Sequence, residues 1–220
     1  MTAGAYNLSM LRWYDTAAPG PPGLVLTHGA GAGHDHPWMV RAAQGLAARG
    51  VRTATFNFPY KEAGRSAPDR PAVLEEAWRD AWAEAARAVR GPMFAAGKSM
   101  GGRIASQAAA RRLLLPAPAG LVFFGYPLHP PAKPAQRRDQ HLPHVGAPML
   151  FLSGTRDPFG SPEELGALVA ALPDATLELI EGGDHSLALS KTRDPKGASL
   201  DEALETAARW ILGGNGAMRQ

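Results

Sequence analysis

The sequence predicts an α/β fold, with a mainly parallel β-sheet flanked by helices on both faces. Short apolar runs alternate with longer helix-like stretches from one end of the chain to the other, which is the pattern of β-α-β units. The 220 residues are enough for one well-buried core, so we expect a single domain over residues 1–220. One apolar run also leads directly into a glycine-flanked serine and then into a helix.

The predicted strands are short apolar runs bounded by turn-forming residues, and the predicted helices are the stretches between them. The strands are at residues 24–27, 51–58, 93–96, 121–124, 149–152 and 176–180. The helices are at residues 37–48, 73–89, 100–114, 162–172 and 200–212. Two helix starts carry capping signals. Ser161 precedes a proline and two glutamates, and Ser199 is followed by Glu202 as in a capping box.

Three segments depart from this alternation. Residues 1–22 are predicted to contain an edge strand at 8–14, running antiparallel, and its exit turn. Residues 126–148 contain five prolines and cannot form a long regular helix. This segment follows a strand, so we expect it over the carboxyl edge of the sheet, and it is too short for more than a minimal lid. Residues 213–220 are a glycine-rich tail that we expect to fray.

Composition excludes several functional classes. The net charge is only +3, and no basic stripe is interleaved with aromatic residues, so we expect no nucleic-acid partner. The absence of cysteine excludes a thiol nucleophile, a disulfide and a Cys zinc site. Residues 1–14 lack the pattern of a signal peptide, and no segment approaches the roughly 20 apolar residues of a membrane span. We therefore expect a cytoplasmic protein without a membrane partner. Its oligomeric state is left open.

The central motif is G-x-S-x-G, formed by Gly97, Ser99 and Gly101 between the strand at 93–96 and the helix at 100–114. Small residues two places either side of a serine allow the chain to reverse sharply between strand and helix. That turn exposes the serine Oγ at the carboxyl edge of the sheet. Ser99 is therefore predicted to be a nucleophile. The alternative is a purely structural turn.

A serine hydroxyl becomes a good nucleophile only beside a base that a third group orients. In a parallel sheet these partners come from loops after later strands, in the order acid and then histidine. Asp157 follows the strand at 149–152, and His185 follows the strand at 176–180. We predict that they serve Ser99 as orienting acid and general base. Three other acids fit the positions less well: Asp139, Asp174 and Asp184, of which the last is expected to hold its own loop.

The site also requires two N–H donors for an oxyanion. Met100 follows the nucleophile directly, and Ala30 lies in the glycine-rich loop after the first core strand, so these two are the predicted donors. His28 and Gly29 of that loop, with His129 and His141 from residues 126–148, are predicted to line the pocket.

We expect no cofactor and no metal. The glycine spacing of the loop is not that of a dinucleotide-binding motif, and no acid ends the strand at 51–58. His34 and His36 lack an evident third ligand.

With these residues placed, the chain resembles the α/β-hydrolases, and in particular a small group related to the dienelactone hydrolases. The resemblance runs over nearly the whole chain. It rests on residues 27–31, 97–103, 125–130, 154–160 and 183–186. It implies an α/β-hydrolase fold and a Ser99–His185–Asp157 triad that acts on an ester-like carbonyl through an acyl-enzyme. Dienelactone hydrolases use a cysteine nucleophile, so their substrate is not carried over.

The expected function is thus that of a serine hydrolase that cleaves a small carboxylic ester, with a small-molecule substrate. The alternative is a non-catalytic scaffold module, because eukaryotic relatives of the group include a subunit of a chromatin-modifying complex. Lys98, Arg103 and Arg138 would favour acidic substrates if they face the pocket. Alternatively, Lys98 and Arg103 are ordinary structural ion-pair partners.

Overall fold

The computed structural model describes residues 11–17 and 20–213. Within these ranges, seven strands form one sheet in the order β1-β3-β2-β4-β5-β6-β7. The strands are β1 (Arg12–Tyr14), β2 (Gly23–Thr27), β3 (Arg52–Phe56), β4 (Met93–Lys98), β5 (Gly120–Phe124), β6 (Met149–Gly154) and β7 (Ala175–Ile180). Only β1 runs antiparallel, beside β3, and every other neighbouring pair is parallel. The sheet is therefore mainly parallel, as predicted.

In the same described ranges, six α-helices connect the strands or follow them. They are α1 (Pro37–Ala48), α2 (Pro59–Glu62), α3 (Pro71–Ala88), α4 (Met100–Ala110), α5 (Pro162–Ala171) and α6 (Ala198–Leu212). The apolar faces of α1 and α6 pack on one side of the sheet, and α3, α4 and α5 pack on the other. This confirms the prediction of helices on both faces. None of the helices in the described ranges is long and apolar enough to cross a membrane.

The central strands are buried on both faces because helices cover both. In β5, Leu121 and Phe123 point into the core shared with α3 and α4, whereas Val122 and Phe124 point into the core shared with α1 and α6. Successive side chains of a strand alternate between faces, so a strand covered on both sides reads as an unbroken apolar run. That is why the central strands β4, β5 and β6 read in the sequence as apolar runs and not as alternating patterns.

Several boundaries differ from the sequence-based expectation. Helix α4 ends at Ala110 and not at 114, since Arg112 takes a positive φ of 57° that no helix continues. The short helix α2 was not predicted, and β3 ends at Phe56 instead of 58. Part of the predicted edge strand, residues 8–10, and the tail at 214–220 lie outside the described residues.

The two predicted capping signals had different outcomes. Ser161 forms the predicted capping box with Glu164, each side chain bonding the backbone of the other residue. The prediction for Ser199 was wrong, because α6 starts earlier and Ser199 lies within its first turn. The Asp194 carboxylate accepts hydrogen bonds from the N–H groups of Ala198 (2.7 Å) and Ser199 (2.8 Å). An aspartate four residues upstream of the helix therefore performs the capping.

The segment between β5 and β6 is irregular apart from one turn of 3-10 helix, Leu142–His144. It follows the carboxyl end of β5 and contributes residues to the cavity at that edge. The segment at 181–197, between β7 and α6, also lies at this edge and contributes to the cavity, but it contains no helix or strand in the described chain. The lid is therefore minimal, as predicted.

Candidate active site

Ser99 occupies the sharp turn between β4 and α4. Its backbone has φ 51° and ψ −119°, a conformation that residues with a Cβ rarely adopt. The turn is held by the Ser99 N–H, which donates to the Phe124 carbonyl of β5 at 3.1 Å. The neighbouring β-strand therefore anchors the strained residue in place.

The two glycines that flank this turn are required by close backbone contacts. A Cβ on Gly97 would lie 2.1 Å from the Gly102 nitrogen. A Cβ on Gly101 would lie 2.6 Å from the Thr27 carbonyl oxygen and 2.7 Å from that of His28. Such distances are far below van der Waals contact, so only glycine fits at either place. This is the steric reason for the G-x-S-x-G spacing.

A continuous chain of hydrogen bonds joins Ser99, His185 and Asp157. The Ser99 Oγ lies 2.8 Å from His185 Nε2, and His185 Nδ1 lies 2.8 Å from Asp157 Oδ2. The three side chains come from the turns and loops after β4, β7 and β6, which end at the same edge of the sheet. The structure thus brings together the three residues that the sequence predicted to act together.

Phe159 contacts both Asp157 and His185 and helps to fix their positions. The other carboxylate oxygen of Asp157 accepts the N–H of Phe159 at 2.9 Å, and the Asp157 side chain is fully buried. The Phe159 ring lies against the His185 imidazole, with 4.2 Å between ring centroids. Sequence reasoning did not identify Phe159 as a site residue. Its position two places after Asp157, in the same loop, was the available signal.

Asp184, the neighbour of His185, holds the loop and not the imidazole. Its Oδ1 accepts the N–H groups of Ser186 (2.7 Å) and Ala188 (3.1 Å). This agrees with the role expected for it from the sequence. Trp38 at the start of α1 also fixes the loop, because its Nε1 donates to the Ser186 carbonyl at 3.0 Å.

Lys98 supports the same loop from beneath. Its ammonium donates a hydrogen bond to the His185 carbonyl oxygen, and it has no carboxylate within ion-pair distance in the described part of the chain. Burial lowers the pKa of Lys98 to about 8, while the charges of Asp157 and Asp184 act in the opposite direction. The interpretation of Lys98 as an ordinary ion-pair partner is therefore wrong.

Ala30 and Met100, the two predicted oxyanion donors, line the same cavity as Ser99. The loop that carries Ala30 lies against the serine, since a Cβ on Gly29 would be 3.3 Å from the Ser99 Cβ. Met100 is the first residue of α4, where backbone N–H groups have no partner within the helix. Neither N–H donates a hydrogen bond to another described residue.

The cavity around Ser99 measures about 460 Å³. Its walls come from the loop after β2, the start of α1, the β4–α4 turn, the segment after β5 and the loops after β6 and β7. Gly29 lines it, as predicted, whereas His28, His129 and His141 do not.

The imidazole rings of these three histidines form hydrogen bonds outside the cavity. His28 is fully buried, and its Nε2 accepts the N–H of Phe58 at 3.2 Å, which joins the loops after β2 and β3. Burial lowers the pKa of His28 to about 4. His129 bonds the Glu164 carboxylate at 3.1 Å, and His141 bonds the Ser106 hydroxyl at 2.7 Å. The prediction that these histidines line the pocket is corrected accordingly, because long-range partners draw them away from it.

Comparison with known proteins places this architecture in a family. Residues 21–213 match the model of the alpha/beta hydrolase domain family. The chain belongs to the α/β-hydrolases. Because the match spans nearly all of the described sheet and helices, the membership applies to the whole fold and not to one motif.

Solved structures with low sequence identity share the fold of this α/β-hydrolase. An α/β serine hydrolase without a lid from Xanthomonas campestris is 20% identical, with 91% of this chain and 88% of that chain covered at a TM-score of 0.70. A dienelactone hydrolase from Anabaena variabilis is 20% identical (93% and 91% covered, TM-score 0.69). The esterase domain of a Rhodothermus marinus protein is 16% identical (94% and 93% covered, TM-score 0.68).

Proposed function

We propose that this α/β-hydrolase cleaves a small carboxylic ester through an acyl-enzyme. Ser99 is the nucleophile, His185 the general base and then general acid, and Asp157 the group that orients the imidazole. The observation that carries the proposal is the hydrogen-bonded chain from Ser99 Oγ through His185 to the buried carboxylate of Asp157, at the wall of an accessible cavity. A neutral imidazole held in this way has one nitrogen free to accept the serine proton.

In the first half of the reaction, Ser99 Oγ attacks the carbonyl carbon of the ester while its proton passes to His185 Nε2. The carbonyl oxygen becomes an oxyanion, for which the N–H groups of Met100 and Ala30 are the proposed donors. Collapse of the tetrahedral intermediate breaks the bond to the alcohol oxygen, and that oxygen takes the proton from His185. The alcohol leaves, and the acyl group remains on Ser99.

In the second half, a water molecule attacks the acyl carbon and gives its proton to His185 Nε2. The second tetrahedral intermediate collapses with cleavage of the bond to Ser99 Oγ, which recovers the proton from His185. A carboxylic acid leaves, and the enzyme returns to its starting state. Asp157 bonds the opposite nitrogen of the imidazole throughout and stabilises its positive charge in both halves.

The experiment that tests the proposal is labelling with a fluorophosphonate probe, which reacts only with activated serines. Native wild-type protein is expected to be labelled, and the labelled peptide should contain Ser99. Ser99→Ala protein should not be labelled and should lose ester hydrolysis by about 10⁴-fold or more. Ser190→Ala is the matched control, because it removes an exposed serine outside the cavity. It should be labelled like wild type.

Two outcomes contradict the proposal. Labelling of Ser99→Ala at the wild-type rate would move the reactive serine elsewhere. Absence of labelling in native, well-folded wild type, together with no turnover of simple aryl esters, would leave the non-catalytic scaffold module as the function of this fold.

A further inference from the structure

The charged side chains in the described wall of the Ser99 cavity are basic. Lys98, Arg103 and Arg138 line it, and no aspartate or glutamate among the described residues does. The Lys98 ammonium already donates a hydrogen bond to the His185 carbonyl oxygen. Arg103 and Arg138 are the other two cationic side chains of this wall.

Arg103 lies one helical turn after Ser99 on α4, on the same side of that helix. Its Nε is buried and has no hydrogen-bond partner among the described residues. Its Nη1 donates to the neutral amide of Gln107 at 3.3 Å. Burial first, and the charge of Arg138 second, lower the pKa of Arg103. Tyr126 and Glu75 act on it in the opposite direction, but the Glu75 carboxylate is already paired with Arg111 at 3.2 Å. A buried guanidinium with a second cation nearby is an unfavourable arrangement unless an anion balances it.

Arg138 reaches the cavity from the segment after β5, and its backbone is fixed on both sides. Its N–H donates to the Leu128 carbonyl at 2.9 Å, and its own carbonyl accepts the Tyr126 hydroxyl at 2.8 Å. The nearby acids are taken by its neighbour, because Arg137 pairs with Asp139 at 2.5 Å and lies 3.7 Å from the Glu164 carboxylate. In the described chain neither Arg103 nor Arg138 has a carboxylate within 4.0 Å.

We propose that Arg103 and Arg138 form an anion subsite beside Ser99, and that the substrate is an ester bearing a carboxylate. Guanidinium groups bind carboxylates through paired, charge-assisted hydrogen bonds. Two guanidiniums from different elements, both facing the cavity of the nucleophile, would hold such a group while the ester carbonyl lies against Ser99. This proposal rests on the proposed function and adds the class of substrate to it.

The test compares esters with and without a carboxylate group. Mono-p-nitrophenyl adipate and p-nitrophenyl hexanoate differ on the acyl side, and 4-acetoxybenzoate and phenyl acetate differ on the alcohol side. After subtraction of spontaneous hydrolysis, wild type should show a kcat/KM about tenfold or more higher for the anionic member of at least one pair, the usual effect of one charge-assisted hydrogen bond. Arg138→Gln and Arg103→Met should each reduce that ratio by about tenfold.

The ratio also controls for general damage to the fold, which would lower both members of a pair. Arg90→Gln is the matched control, since it removes one exposed arginine that precedes β4, at the opposite end of the sheet, and should leave the ratio at the wild-type value. Equal kcat/KM values for charged and neutral esters in both pairs, or ratios unaffected by both cavity variants, would overturn the subsite while leaving the hydrolase function intact.

A binding measurement keeps the subsite testable if wild type hydrolyses none of these esters, the result that would refute the proposed function instead. Hexanoate and hexanamide have the same length and differ in charge. In Ser99→Ala protein, calorimetric titration should show hexanoate binding about tenfold more tightly, and adding Arg138→Gln should remove the difference. Equal affinities for the acid and the amide would refute the anion subsite on their own.

Discussion

The backbone of Ser99 should make the protein less stable than it would be with glycine at this position. At φ 51° and ψ −119°, a residue with a Cβ is strained by about 1–3 kcal/mol. Ser99→Ala retains the Cβ and therefore the strain, whereas Ser99→Gly releases it. Both variants lack the nucleophile, so any difference in their stability reports the backbone alone. We expect Ser99→Gly to be the more stable of the two.

The expected difference follows from two opposing contributions. Release of strain stabilises the folded state by about 1–3 kcal/mol, and the greater freedom of glycine in the unfolded chain offsets about 0.4–1 kcal/mol of this. The difference between these ranges runs from about 0 to about 2.6 kcal/mol, with a midpoint of about 1.3 kcal/mol in favour of Ser99→Gly. For a chain of this length the midpoint corresponds to a Tm higher by about 3–5 °C.

Urea unfolding followed by the fluorescence of the five tryptophans measures this difference. Ala83→Gly is the matched control, because it makes the same Ala-to-Gly change within α3, where it should destabilise by about 1 kcal/mol. Opposite signs at positions 83 and 99 would establish the strain. A Ser99→Gly protein no more stable than Ser99→Ala would refute the reasoning, and the turn would then cost nothing measurable.

Two further predictions concern stability. Gly97→Ala should lower the free energy of unfolding by about 3 kcal/mol or more in urea melts, because its Cβ would lie 2.1 Å from backbone. Gly166→Ala in α5, with open space around its Cβ, should instead stabilise by up to about 1 kcal/mol, and equal effects would contradict the steric argument. Because His28 has a folded-state pKa of about 4 against about 6.5 when unfolded, the unfolded chain binds the proton first. The free energy of unfolding should therefore decrease by up to about 3 kcal/mol as the pH drops from 6.5 towards 4. The His28→Gln variant should show a smaller decrease. An identical acid profile in that variant would exclude His28 as a cause.

Local sequence patterns were sufficient for the sheet and for the residues gathered at its edge. Parallel strands end at one edge, so residues placed just after β4, β6 and β7 had to lie near one another. That topological rule led to Ser99, Asp157 and His185 without any contact being known. The glycines of the β4–α4 turn were equally readable, because their requirement arises from a backbone bend within five residues.

Other features required the folded chain. Asp194 and not Ser199 caps α6, because the helix begins at Ala198 and Ser199 therefore lies inside its first turn. His28, His129 and His141 were expected in the pocket, but each is bound to a partner across the fold. A histidine in a loop sequence does not show which way its ring turns, because packing against residues far along the chain decides it.

The sequence by itself determined the fold class, the order of the core strands and the residues that meet at the carboxyl edge, because short-range periodicity and strand order carry that information. The tertiary structure decided which charges find partners. Arg137 is paired with acids, whereas its neighbour Arg138 faces the cavity with Arg103. The physical reason is that an ion pair depends on distances of a few ångströms between side chains on different elements, and only the packing of those elements sets them.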